Sequence, residues 1–313
     1  MSGVKSERLS GACGASGITD GATGLGAPFR FRRVEPLRGL GDRAGSGARY
    51  SQPVSSPTAS AALSLSQVRR VYPGSRLALA DVSLRIATGE FVSLLGPSGC
   101  GKSTVLRLLG GLDMPTSGTI SRGLADDAVP GYVFQDAALM PWASVRRNVE
   151  LPLMLRGQDG AEIRARVDDA LRAVGLADSA AAMPRELSGG MKMRASLARA
   201  LVTAPRLWLL DEPFGALDEI TRFALNQTLL SLCQPADGGA PATTVFVTHS
   251  VYEAVFLSQR VVVMARPGRV VDEVRVPAPY PRDAAFRTTP QFASLCAQVS
   301  QALQRASVAG APA

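Results

Sequence analysis

Phe91-Val-Ser-Leu-Leu-Gly96-Pro97-Ser98-Gly99-Cys100-Gly101-Lys102-Ser103-Thr104 is the stretch that decides how this chain folds. It opens on an apolar run of the buried-strand kind, and the apolar spacing of residues 105–109 predicts a helix behind it. Between them stands G-x-x-x-x-G-K-[ST], in which every residue type has a physical reason. The glycines let backbone N–H groups curl around phosphate oxygens without Cβ clashes, and the helix N-terminus adds positive potential. Lys102 reaches β- and γ-phosphates as a point charge, and the Ser103 hydroxyl suits Mg2+. With strand, loop and helix in that order, the stretch reads as a nucleotide site.

Such a site needs an acidic strand end. Leu207-Trp-Leu-Leu-Asp211-Glu212 supplies one, 109 residues beyond Lys102. Asp211 can hold Mg2+ and Glu212 can polarise an attacking water, whereas alone the pair would read as helix-capping acids. Val245-Phe-Val-Thr248 is another apolar strand, and it delivers His249, the single histidine, to the sheet edge where ligands bind in parallel sheets. There its imidazole can contact a γ-phosphate rather than serve only as a structural side chain.

Further runs extend the pattern. Alternation at residues 63–68 and 82–86 and the run Val261-Val-Val-Met264 predict strands; Ile163, Val167, Leu171 and Val174 predict a helix. Strands alternating with helices imply an α/β fold with a mainly parallel sheet. Residues 1–62 hold 11 of the 31 glycines without apolar periodicity and read as a disordered leader. Residues 277–313 read as a tail with one amphipathic helix bearing Phe292, Leu295, Val299 and Leu303.

Composition excludes several classes. No window of 18 apolar residues would span a membrane, and the N-terminus lacks the basic-then-apolar pattern of a secretory signal. Cys13, Cys100, Cys233 and Cys296 form no close pair, which argues against a disulfide framework or zinc site and suits a reducing cytoplasm. The net charge of +8 is spread along the chain with no basic run interleaved with aromatics, so no nucleic-acid partner is expected.

Leu187-Ser188-Gly189-Gly190-Met191 precedes a helical stretch, 86 residues after Lys102 and 23 before Asp211. With Gln135 and His249, the chain now resembles the ATP-binding subunits of ABC transporters over residues 63–276. That resemblance implies a P-loop NTPase (RecA-like) core with a mainly parallel sheet, an antiparallel β subdomain and a helical signature-motif subdomain at about 136–200. It implies that Tyr72 stacks on adenine, that residues 96–104 form Walker A, and that Gln135 is the Q-loop glutamine, joining Ser103 and Asp211 around Mg2+. Ser188, Gly189 and Gly190 match the signature, Asp211 and Glu212 match Walker B with Glu212 as base, residues 215–218 match the D-loop ending in Asp218, and His249 matches the switch histidine. Two such chains would bind two ATP head to tail, as a homodimer or with a paired ATPase subunit. Each signature helix would then face the other chain's γ-phosphate.

Met191 departs from the family's usual Gln, an expected change of tuning rather than of function. Residues 133–142, 212–218 and the Met191 signature look like the nitrate, sulfonate and taurine importer branch, which shares these features with importers of pyrimidine thiamine precursors. Leu139, Met140 and Trp142 either dock a membrane subunit or pack the helical subdomain. The resemblance implies an ATPase on the cytoplasmic face of the inner membrane, bound to integral membrane permease subunits and indirectly to a substrate-binding protein. The alternative is a soluble ABC-type ATPase acting on nucleic acid or ribosomes. Those typically carry two motif sets or a long coiled-coil insertion, and this chain has neither.

Overall fold

Period-two alternation makes one strand serve two cores, and the computed structural model shows how. It describes residues 61–123, 129–158, 160–234 and 239–309. The chain runs through β1 (Ala61–Tyr72), β2 (Arg76–Ala87), β3 (Phe91–Leu95), α1 (Lys102–Leu109), β4 (Ser117–Arg122) and β5 (Gly131–Val133). Three helices follow, α2 (Val145–Met154), α3 (Ala161–Ala173) and α4 (Gly189–Leu201). The rest is β6 (Leu207–Asp211), α5 (Glu219–Cys233), β7 (Thr243–Val247), α6 (Val251–Leu257), β8 (Arg260–Ala265), β9 (Arg269–Arg275) and α7 (Pro290–Ala309).

Six strands form a sheet in the order β5-β6-β7-β3-β8-β9, parallel except for β9. Phe91, Trp208, Leu210, Phe246 and Val261 point to one face, into a core shared with α2 to α7. Their neighbours Val92, Leu94, Leu209, Val245 and Val262 point to the other, into a core with α1 and the antiparallel sheet β2-β1-β4. A sheet buried on both faces explains why its strands read as continuous apolar runs.

The order also sets the site. Asp211 pairs with Val247, Leu94 with Val247, and Val133 with Leu210, so four strand ends lie level at one edge. The loops carrying residues 96–104, Gln135, Glu212 and His249 all leave from that edge.

In the helical segment, buried Asn148 donates from Nδ2 to the carbonyls of Met140, Ala143 and Ser144, and its Oδ1 accepts from Met140 N. Arg199 of α4 donates to the carbonyls of Ala137 and Ala138. Together they pin the loop that follows Gln135. Leu139 packs against the core while Trp142 is 76% exposed, so the two residues grouped in sequence face different surroundings.

The expected strands and helices are present, with shifted ends. β1 begins at Ala61 and buries Ala62, two residues before the strand start expected at Leu63. Thr248 stands outside β7, and the signature helix begins at Gly189. The expected leader lies outside the described residues up to residue 60. β4, β5 and β9 had no clear sequence signal, since β4 and β9 are largely exposed and β5 is three residues long. Among the described residues no helix is long and apolar enough to cross a membrane.

Candidate active site

Gly96 sits where β3 ends, and a Cβ there would stand 2.4 Å from the Met264 carbonyl oxygen. Gly101 has φ +97, and a Cβ would meet Leu79 Cδ2 at 2.6 Å and the Ala78 carbonyl at 2.7 Å. Both positions therefore demand glycine, one for close approach and one for its left-handed backbone as well. Arg266, beyond the end of β8, donates to the Ser98 carbonyl and braces the outer turn of the loop.

Lys102 is buried, and its Nζ donates to the Gly96 carbonyl at 2.9 Å and the Pro97 carbonyl at 3.4 Å. It also lies 3.7 Å from Glu212 Oε1. The ammonium is thus held over the loop by weak neutral acceptors, from which stronger phosphate acceptors can draw it.

Ser103 Oγ donates to Asp211 Oδ1 at 2.9 Å. Burial is the largest influence on Asp211 and pushes its carboxyl up, while the Ser103 hydrogen bond opposes. This hydroxyl–carboxylate pair at a helix N-terminus is a set of hard oxygen donors that fits Mg2+, which takes few protein ligands beside phosphates and water.

Glu212 follows β6 with φ +47, a backbone region sparsely used outside glycine. Its N–H donates to the Val247 carbonyl at 3.0 Å, tying it to β7. Its Oε2 is 3.5 Å from His249 Nδ1, and the His249 Cε1 stands 3.4 Å from where a Cβ on Gly215 would be.

A cleft of about 390 Å³ gathers Tyr72, Ser98, Gly99, Gly101, Lys102, Ser103, Thr104, Gln135 and Glu212 along its walls. Gly96, Pro97, Cys100, Asp211 and His249, all expected in the site, are not among the residues that line it. Cys100 is fully buried beside Gly96, and burial raises its thiol, so it stays a protonated core group. Pro97 contributes its carbonyl to Lys102.

Ser188, Gly189, Gly190 and Asp218 do not line the cleft at all. They lie together elsewhere. Ser188 caps α4 by accepting from Met191 N at 3.3 Å, and Asp218 caps α5 by accepting from Thr221 N at 2.9 Å. A Cβ on Gly190 would stand 2.7 Å from Thr221 Cγ2, so the missing side chain lets the two helix starts meet. Met191 packs half-buried against the core.

Sequence reasoning missed several contributors. Arg76 and Arg107 line the cleft and add positive charge; Arg107 is one helical turn beyond Ser103, a spacing that could have revealed it. Asp113 accepts from Tyr72 OH at 2.9 Å and pairs with Arg70 at 2.6 Å, while the Arg70 guanidinium lies 4.7 Å from the Tyr72 ring centre. Only the pairing of β1 with β4 brings these together, so no local signal announced them.

The chain resembles known proteins along most of its length. Residues 79–215 match the ABC transporter family. The nitrate import ATP-binding protein NrtD of Synechocystis sp. is 40% identical over 256 residues, 77% of this chain and 95% of that protein. The aliphatic sulfonates import ATP-binding protein SsuB of Rhodopseudomonas palustris is 45% identical over 230 residues, 72% of this chain and 78% of that protein. A solved dimeric ATP-binding cassette in a post-hydrolysis state, bound to ADP and Pi, shares 36% identity at a TM-score of 0.61, over 69% of this chain and 99% of its own.

Proposed function

Since the chain belongs to the ABC transporter family and is an ABC-type ATPase, we propose that it energises an importer for nitrate, a sulfonate such as taurine, or a related small solute such as a pyrimidine thiamine precursor. The observation that carries the reading is the line Lys102–Glu212–His249 along one sheet edge, with the Ser103–Asp211 pair beside it.

On this reading Tyr72 stacks on the adenine, and the backbone of residues 96–104 cradles the phosphates. Lys102 leaves the Gly96 and Pro97 carbonyls for the β- and γ-phosphate oxygens. Ser103, Asp211 and Gln135 would hold Mg2+, which neutralises charge on the phosphates when bound. Glu212 orients and deprotonates the attacking water, a role worth about 10²–10⁴ in rate. His249 steadies Glu212 and contacts the γ-phosphate.

Ser188, Gly189, Gly190 and Asp218 would complete the site from a second copy, which accounts for their distance from the cleft. A helix N-terminus closing over the γ-phosphate adds donors and favourable potential on the open side. ATP would close the dimer and hydrolysis would reopen it, so transport work comes from a population shift. The dimer would sit on permease subunits at the cytoplasmic face of the inner membrane, with Trp142 among the residues facing them, and a substrate-binding protein would feed the permease.

Uptake of labelled nitrate, taurine, an alkanesulfonate and a pyrimidine thiamine precursor, in cells with and without this chain, tests the reading. Loss of one uptake names the solute class. Unchanged uptake of all four would overturn the proposed import role.

A further inference from the structure

Beneath the Glu212–His249 contact lies a buried network that the reading above leaves unused. Glu253, in the first turn of α6, is 5% exposed. Its Oε2 accepts a hydrogen bond from the Thr248 hydroxyl, which in turn accepts from Ser250 N at 3.0 Å. Thr248 N donates to the Leu94 carbonyl at 3.3 Å, at the strand end that feeds the phosphate loop. His249 is therefore the exposed middle residue of a turn whose two flanks are fastened from below.

The other carboxylate oxygen faces a different loop. Glu253 Oε1 lies 3.6 Å from Arg222 Nε. Arg222 spends its donors on the Phe214 carbonyl at 3.3 Å and the Leu217 carbonyl at 2.7 Å, which bracket the loop between Glu212 and Asp218. That loop carries Gly215, against which the His249 ring rests. Oε1 is buried with no hydrogen-bond partner, and burial raises the Glu253 carboxyl against the Thr248 bond and the Arg222 charge. A half-satisfied buried carboxylate is a cost to the fold, and a neutral side chain would pack there at lower cost. Arg287, stacked 4.2 Å from the Phe223 ring centre and 4.7 Å from that of Phe256, is the further cation near it.

We propose that Glu253 is a positioning residue for hydrolysis, holding His249 through the Thr248 hydroxyl and the 214–217 loop through Arg222, so that the imidazole stays set against Glu212. The inference rests on the roles given above to His249 and Glu212. It makes one carboxylate the joint between the loop that carries the histidine and the loop that reaches Asp218.

The test exploits the single histidine of the chain: untagged protein gives one imidazole signal by nuclear magnetic resonance. Glu253→Gln and Thr248→Val should each shift that signal in nucleotide-free protein. Each should lower kcat by at least about tenfold, while KM for ATP stays within about twofold, since the phosphate loop is untouched. Thr248→Ser, which restores the hydroxyl, should return both readouts to wild type. Folding is checked by thermal melting. Should Glu253→Gln fail to fold, Thr248→Val decides, because it keeps the carboxylate and the side-chain volume. A folded variant with an unmoved imidazole signal and kcat within about twofold of wild type would overturn the proposal. Failure of the ATPase reading would look different: wild-type protein would not hydrolyse ATP, whereas the imidazole shift needs no turnover and still tests the joint.

Discussion

Glu212 Oε2 stands 3.5 Å from Nδ1 of His249, although the two residues are 37 positions apart and leave from different strands. The contact exists because β6 and β7 pair in register and because Glu212 holds a φ of +47, which turns its side chain back over the edge. A strained backbone at this point is consistent with a side chain placed for chemistry.

Glu212→Gln keeps the shape and loses the base. Phosphate release should fall by at least about 10²-fold while ATP affinity persists. Uncleaved ATP should then hold two copies together, so light scattering should find a dimer with Mg-ATP and a monomer with ADP. Adding Ser188→Arg, which puts a bulky cation where the second copy closes, should restore the monomer. Turnover at the wild-type rate would remove Glu212 from its role.

His249→Ala leaves every contact of Lys102 and Ser103 intact. Nucleotide affinity should stay within a few-fold and turnover should drop by more than about tenfold, a loss confined to the transition state. Equal turnover in the variant would return His249 to a structural role.

Asp211 gives a pH test whose sign follows from burial. Its carboxyl is raised in the fold, so the neutral form is favoured there; that contribution is full below the unfolded carboxylate range and lost as pH rises through the folded value. Asp211→Asn is neutral throughout. Nucleotide-free Asp211→Asn protein should melt above wild type at about pH 7.5, with the gap closing toward about pH 4. In Mg-ATP the order should reverse, because wild type alone gains the full ligand stabilisation. An unchanged gap across the range would mean that Asp211 carries no burial cost.

Asp113→Ala frees Tyr72 OH and removes the partner of Arg70. Loss of one net hydrogen bond of about 1 kcal/mol corresponds to a roughly fivefold rise in KM for ATP, with kcat unchanged. A fall in kcat at constant KM would show that Asp113 acts elsewhere.

Deleting residues 1–60 should leave ATP turnover within about tenfold of the full chain, about 1.4 kcal/mol of transition-state free energy. The cut belongs before Ala61 because Ala62 is buried in β1. A larger loss would make those residues part of the machine.

Local chemistry explains what could be read without coordinates. The phosphate loop, the Asp211-Glu212 strand end and His249 each combine a residue type with an adjacent apolar strand, and both are short-range properties. The sheet followed from the same runs, since a strand buried on both faces has no polar face to show. Asp113 beside Tyr72, Arg266 on the Ser98 carbonyl, and the link from Thr248 through Glu253 to Arg222 had no such signature. Each joins residues from separate elements, and their identities are ordinary for surface or helix positions. The apolar runs and the residues that follow them were enough to say which groups meet at the sheet edge, because parallel strands bring their C-terminal ends to one side. Which charged side chains hold those groups in place emerged only from the folded chain, because pairing across elements depends on register, and register is not local.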